Sequence, residues 1–149
     1  HFYVTAKIYK NPWVTRPIVS APGSILHGIG RWVDHQLQPI CKMLPSYLKS
    51  SVELKERLLK ISIADLAHAQ FFAADDVSMY TNIDTDHAME TIAKFLRNSP
   101  LCKDIPVEPI IDALGIVLRN NLFQFRDTYW IQTTGTAMGT PPAPMYASL

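Results

Sequence analysis

Apolar and polar positions lay out most of the secondary structure. "FYVTAKIYK" and "VTRPIVS" are β-prone runs joined by "NPW", a pattern that predicts a hairpin over residues 2–19. "APGS" closes it, and Ser24 is placed to cap a helix. From Ile25 to about Leu44 apolar residues recur at helical spacing (Ile25, Ile29, Trp32, Val33, Leu37, Ile40), with Pro39 expected to kink or split the helix. "SSVELKERLLKI" opens with a capping box, Ser50 and Glu53, and reads as an amphipathic helix. "QFFAADDVSMYTNI" is a short apolar run meeting carboxylates, read as a strand that ends in a turn. A helix follows, with Asp84 as N-cap and Pro100 as stop, and "VEPIIDALGIVLRNN" is another. "LFQFRDTYWIQT" alternates around Arg126-Asp127 as a second hairpin; a Gly-containing loop then leads into a last helix. The order ββ-α-α-β-α-α-ββ-α predicts an α+β fold.

Composition adds limits. The chain has 149 residues, 48% of them hydrophobic and 18% charged, which is globular rather than disordered. No apolar run reaches the roughly 18–20 residues of a membrane span. Cys41 and Cys102 have no metal-ligand spacing and read as buried thiols of an intracellular protein. The first residue is His1 and the last segment enters a helix, so a fragment cut at both ends is expected. The net charge of +1 hides a basic first part and an acidic second part, a balance suited to holding a polyanion opposite a metal.

Asp75 and Asp76 carry the most suggestive chemistry. Charge beside an apolar strand is costly unless it is paired or used. Alternation along a strand would send the two carboxylates to opposite faces. As plain structure, the pair would be exposed turn residues.

Tyr80 lies five residues after Asp75. With that spacing, "DDVSMYTNI", "QTTGTAMGTPPAPMYASL" and "VTRPIVSAPGS" together resemble the reverse transcriptase domain of Penelope-like retroelements: its motif A, its motif B and the "RPIV" strand of its fingers. The three motifs occur in the family's order and cover nearly the whole chain. "AADD" also resembles motif C, but it precedes motif B, and the Tyr80 spacing favours motif A. Asp76 departs from the apolar residue more usual beside the motif A aspartate.

The resemblance implies a partial right-hand polymerase fold. Residues 1–70 would be fingers-like, with the hairpin 2–19, and residues 71–149 palm-like. It implies an RNA-directed DNA polymerase that adds dNTPs to a DNA primer on an RNA template with Mg²⁺ (or Mn²⁺), inside the cell and in the nucleus. Asp75 would be the catalytic carboxylate, and Asp75 and Asp76 the metal ligands. Lys7, Arg16, Tyr80, Gly135, Thr136 and Gly139 would bind nucleotide; Lys10, Thr134 and Pro141 would bind template. The Tyr80 ring would exclude a 2′-OH. Gly135 and Gly139 would let backbone approach the nascent pair, and Pro141-Pro142 would open the last helix. Motif C and the thumb would lie on the rest of the polymerase, so residues 1–149 alone are expected to be inactive. A non-catalytic nucleic-acid-binding remnant is the alternative. Trp13 is expected under the first hairpin and Trp32 in the core, and His27, His35, His68 and His87 are read as surface or capping residues.

Overall fold

A computed structural model describes residues 2–62, 64, 69–70 and 72–149. Strands β1 (Phe2–Lys7) and β2 (Val14–Val19) form the expected antiparallel hairpin, with Thr5 opposite Arg16 and Lys7 opposite Val14. Helices α1 (His27–Met43) and α2 (Ser51–Leu59) follow, then a short α3 (Met79–Asn82) and a long α4 (Thr85–Asn98). A 3-10 turn at Pro100–Cys102 leads to α5 (Val107–Arg119). The second hairpin pairs β3 (Leu122–Phe125) with β4 (Thr128–Ile131), and α6 (Ala143–Ser148) closes the chain. The class is α+β, with two separate two-stranded sheets among the described residues.

The core is helical. Val33, Leu37 and Ile40 of α1, Ile92 and Leu96 of α4, Ile110, Leu114 and Leu118 of α5, and Tyr146 of α6 bury one another around Cys102. Each helix presents these residues at spacings of three and four, so one face of each turns inward. Gly30 of α1 meets the rings of Pro141 and Pro142, which draws the start of α6 against α1.

Local capping follows the sequence closely. The Asp84 carboxylate accepts the His87 N–H at 2.8 Å and starts α4, while Pro100 follows its end. Ser50 accepts the Glu53 N–H at 3.3 Å; the Glu53 carboxylate reaches back one residue further than a capping box requires, to the Lys49 N–H. Arg57 then ties Glu53 to the carbonyls of Pro45 and Tyr47.

Several expectations need correction. The segment before α3 is not a strand: residues 72–76 have no regular secondary structure, because no neighbouring strand among the described residues offers their backbone groups a ladder. Helix α1 starts at His27 rather than Ile25, since the Ser24 hydroxyl accepts the Leu26 N–H and holds that turn outside the helix. Ile25 is left 95% exposed. Pro39 does not split α1; it lies on the solvent side, where the carbonyl it leaves unpaired can meet water. Trp32 sits at the rim of the core, and Trp13 is 75% exposed at the hairpin turn rather than packed beneath it. His27 is half-buried with Nδ1 unpartnered among the described residues, and His35 is exposed. His1 and His68 lie outside the described residues.

The loop between β4 and α6 joins the elements around it through its backbone. The Thr136 N–H donates to the Tyr80 carbonyl at 2.7 Å, and the Met138 carbonyl accepts the Val19 N–H at 2.9 Å. Gly135 (φ +72°) and Gly139 (φ +114°) sit at these two crossings. A Cβ on Gly135 would strike the Tyr80 carbonyl and the Thr81 backbone, and one on Gly139 would strike the Val19 carbonyl. The bare backbone is thus required by close approach to α3 and to β2.

Two predictions follow from these contacts. Gly135→Ala combines a left-handed backbone with a backbone clash, so urea unfolding is expected to show a loss of about 1–3 kcal/mol; an unchanged midpoint would mean the loop does not press on α3. The buried Cys41 thiol is pushed up to about 11 by desolvation and then by the Asp34 carboxylate. The fold therefore favours the neutral thiol. That contribution is complete below the unfolded thiol's value of about 8.5 and is lost as pH rises towards 11, by up to roughly 3 kcal/mol. Cys41→Ala is expected to flatten this part of the alkaline stability profile; identical profiles for the two proteins would refute the linkage.

Candidate functional site

Strand alternation gives the first hairpin two different faces. Lys7, Thr5, Arg16 and Ile18 share one face by register; Phe2, Pro17 and Val19 share the other. The second face meets the β3–β4 hairpin, where the Phe2 ring lies 5.4 Å from Phe123 and 5.6 Å, edge-on, from Phe125. The first face opens onto a cleft of about 1160 Å³.

Lys7, Lys10, Arg16 and Ile18 form one wall of this cleft. Ala74, Asp75 and Asp76, with Ser78, Met79 and Tyr80, form another. Met138, Gly139, Thr140 and Pro141, with the start of α6, complete it. The cleft therefore gathers Lys7, Lys10, Arg16, Asp75, Asp76, Tyr80, Gly139 and Pro141 from three distant stretches of sequence. Because residues 72–76 are not a strand, Asp75 and Asp76 are not sent to opposite faces; both line this cleft.

Three predicted site residues lie elsewhere. Gly135 and Thr136 are buried, and the Thr136 hydroxyl has no partner among the described residues. Enclosure under α3 removes Thr136 from direct contact with a ligand; its backbone N–H is what acts, by holding the Tyr80 carbonyl. Thr134 is exposed and lines a second cleft of about 380 Å³ between the two hairpins, with Phe2, Phe123 and Gln132.

The charges in the large cleft are not spent on one another. The ion pairs among the described residues are Arg57–Glu53, Arg97–Glu108 and Arg119–Asp86, all outside it. Lys7, Lys10 and Arg16 thus keep their donors free on one side, and Asp75 and Asp76 keep exposed carboxylate oxygens on the other. A ligand with both phosphate groups and a bound cation matches that arrangement.

No group of three or more His, Cys, Asp and Glu side chains that could hold a metal occurs among the described residues. The Asp75–Asp76 pair fits a smaller requirement. Mg²⁺ takes oxygen ligands, keeps several waters and is commonly held by one or two carboxylates plus substrate phosphates. No helix among the described residues is long and apolar enough to cross a membrane.

Sequence reasoning passed over Ser78 and Asn82. Ser78 adopts a left-handed conformation (φ 56°, ψ 39°) immediately before α3. Its carbonyl accepts the Thr81 hydroxyl at 2.9 Å, and the Asn82 carboxamide donates to the Val77 carbonyl at 2.9 Å. A serine has no strong preference for that backbone, so only the polar "TN" after Tyr80 could have signalled the turn. Tyr9, exposed at the hairpin tip, also joins the cleft. The chain matches no protein-family model, no curated protein and no solved structure.

Proposed function

We propose that this chain is the fingers and upper palm of an RNA-directed DNA polymerase of the Penelope-like kind that its motifs resemble. One observation carries the reading: the unpaired cations of the first hairpin and the Asp75–Asp76 carboxylates line one cleft with Tyr80. Those residues were singled out from separate motifs, and a chance similarity of short strings gives no reason for them to meet.

In this reading Lys7 and Arg16 hold the triphosphate of an incoming dNTP, Arg16 through a forked pair of donors. Lys10, nearer the hairpin tip, contacts template backbone. Tyr80 places its ring beneath the sugar and leaves no room for a 2′-OH. Gly139 and Pro141 border the nascent base pair. Asp75 and Asp76 would hold Mg²⁺ or Mn²⁺, which when bound offsets the negative charge that builds up during phosphoryl transfer. In the reaction the primer 3′-OH bonds to the α-phosphorus, the bond to the β-phosphate bridging oxygen breaks, and pyrophosphate leaves.

The test combines binding with extension. The 149-residue chain is expected to bind a labelled RNA template–DNA primer in a salt-sensitive way. Replacing Lys7 and Arg16 with Ala is expected to weaken binding and lower the salt slope by about one per lost phosphate contact. In the chain continued past Leu149 through a motif C hairpin, Asp75→Asn is expected to abolish primer extension and leave duplex binding intact. Salt-insensitive binding, or none, would sink the reading. Normal duplex binding without extension by the parent protein would favour a non-catalytic nucleic-acid-binding role. If Asp76→Asn is the dead variant and Asp75→Asn is active, the catalytic assignment moves by one residue.

Tyr80 gives a separate prediction in the same extended protein. Tyr80→Phe keeps the ring and is expected to extend with dNTPs normally. Tyr80→Ala is expected to raise rNTP use relative to dNTP use by about one to two orders of magnitude. An unchanged ratio in steady-state incorporation would remove Tyr80 from the sugar site.

A further inference from the structure

Residues 72–77 carry both carboxylates of the cleft, yet they belong to no helix or strand. Among the described residues, one hydrogen bond ties this segment to the rest of the chain: Asn82 Nδ2 to the Val77 carbonyl, at 2.9 Å. Asn82 is itself well fixed. It ends α3, and its backbone N–H donates to the Ser78 carbonyl at 3.2 Å. The Thr81 hydroxyl and N–H both donate to that same carbonyl, each at 2.9 Å. Helix α3 is held in turn by the Thr136 N–H on the Tyr80 carbonyl.

A continuous series of bonds therefore runs from the glycine loop, through α3, to the carboxylates. Its last link is a side chain. Ser78 turns the backbone through the left-handed region just there, a conformation that a non-glycine residue holds only when its surroundings impose it. The Asn82 amide closes the turn by bonding across it to the residue before Ser78.

We propose that Asn82 is the positioning residue for Asp75 and Asp76: its carboxamide fixes the Val77 carbonyl and so sets where the two carboxylates stand relative to Tyr80 and the opposite wall of the cleft. The proposal rests on the metal-holding role given to these carboxylates above. It goes beyond that role by assigning their placement to a residue that touches neither metal nor substrate. A carboxylate on a loose segment can still meet a cation, but it pays for the ordering of that segment when it does. Outer residues that orient ligands commonly contribute 10- to 100-fold in metal affinity.

The test uses the 149-residue chain, Mn²⁺ as the probe, and two variants. Asn82→Asp keeps the shape and replaces the donor with an acceptor; Asn82→Ala removes the group. Unchanged amide resonances at Leu37 and Leu114 verify an intact core. Without metal, ¹⁵N relaxation is expected to show Asp75 and Asp76 more mobile in both variants than in the parent. With Mn²⁺, paramagnetic broadening in the parent is expected at Asp75 and Asp76 and also at Tyr80 and Gly139. In the variants it is expected to stay confined to Asp75 and Asp76 and to need about tenfold more Mn²⁺. Equal mobility of Asp75 and Asp76 in parent and variants overturns the positioning role, whatever the metal does. An identical Mn²⁺ pattern in parent and variants overturns it as well. Greater mobility in the variants, with no Mn²⁺ broadening in the parent, upholds the positioning of the segment and overturns the metal-holding role instead.

Discussion

Two backbone hydrogen bonds hold the cleft open at its stated width. Thr136 N–H to the Tyr80 carbonyl anchors one end of the glycine loop to α3; Val19 N–H to the Met138 carbonyl anchors the other end to β2. Between them the loop spans the gap between the acidic and the basic wall. Both crossings are too close for a Cβ, which is why the two glycines sit four residues apart in this stretch. Backbone-to-backbone contact carries no rotamer freedom. The spacing of the walls is therefore set more firmly than side-chain packing alone would set it.

The helical core supplies the fixed frame for that loop. α1, α4, α5 and α6 bury a contiguous set of Leu, Ile and Val side chains, and the start of α6 is wedged against α1 at Gly30. Tyr146 shares this core, and its hydroxyl is pushed up to about 12 by burial and then by Asp84, the residue that caps α4. The cap of one helix and the interior of the chain's last helix thus lie near each other. The residues that face the cleft contribute little to the core, and several are exposed. Side chains kept out of the core remain free to meet a ligand.

The sequence disclosed the helices and hairpins because their signals are local. Asp84, Ser50 and Pro100 mark ends by chemistry that acts within a few residues, and the apolar spacing of α4 and α5 repeats over several turns. It misled where an element needs a partner from far away. "QFFAADD" has the apolar content of a strand, but a strand exists only when another lies beside it. The cleft residues were legible because motif resemblance named them; periodicity would have offered only surface charges. Thr136 shows the limit of that route. It stands within a matched motif and yet is enclosed, because a motif records which residues occur and not which of their atoms are exposed. Asn82 was missed for the opposite reason: its bond to Val77 spans an irregular turn that no sequence periodicity describes.

The first hairpin's two faces have a mechanical consequence. Lys7 and Arg16 look into the cleft, while Phe2 on the reverse side of the same sheet rests against Phe123 and Phe125. A two-stranded ribbon cannot tilt one face without tilting the other. Any anion that draws the cations inward must slide the aromatic contact behind them, and any change in that contact must be felt as a change in anion affinity. By thermodynamic reciprocity the two effects are equal in size. The second hairpin, which lines no part of the large cleft, is in this sense a counterweight to whatever the cleft holds.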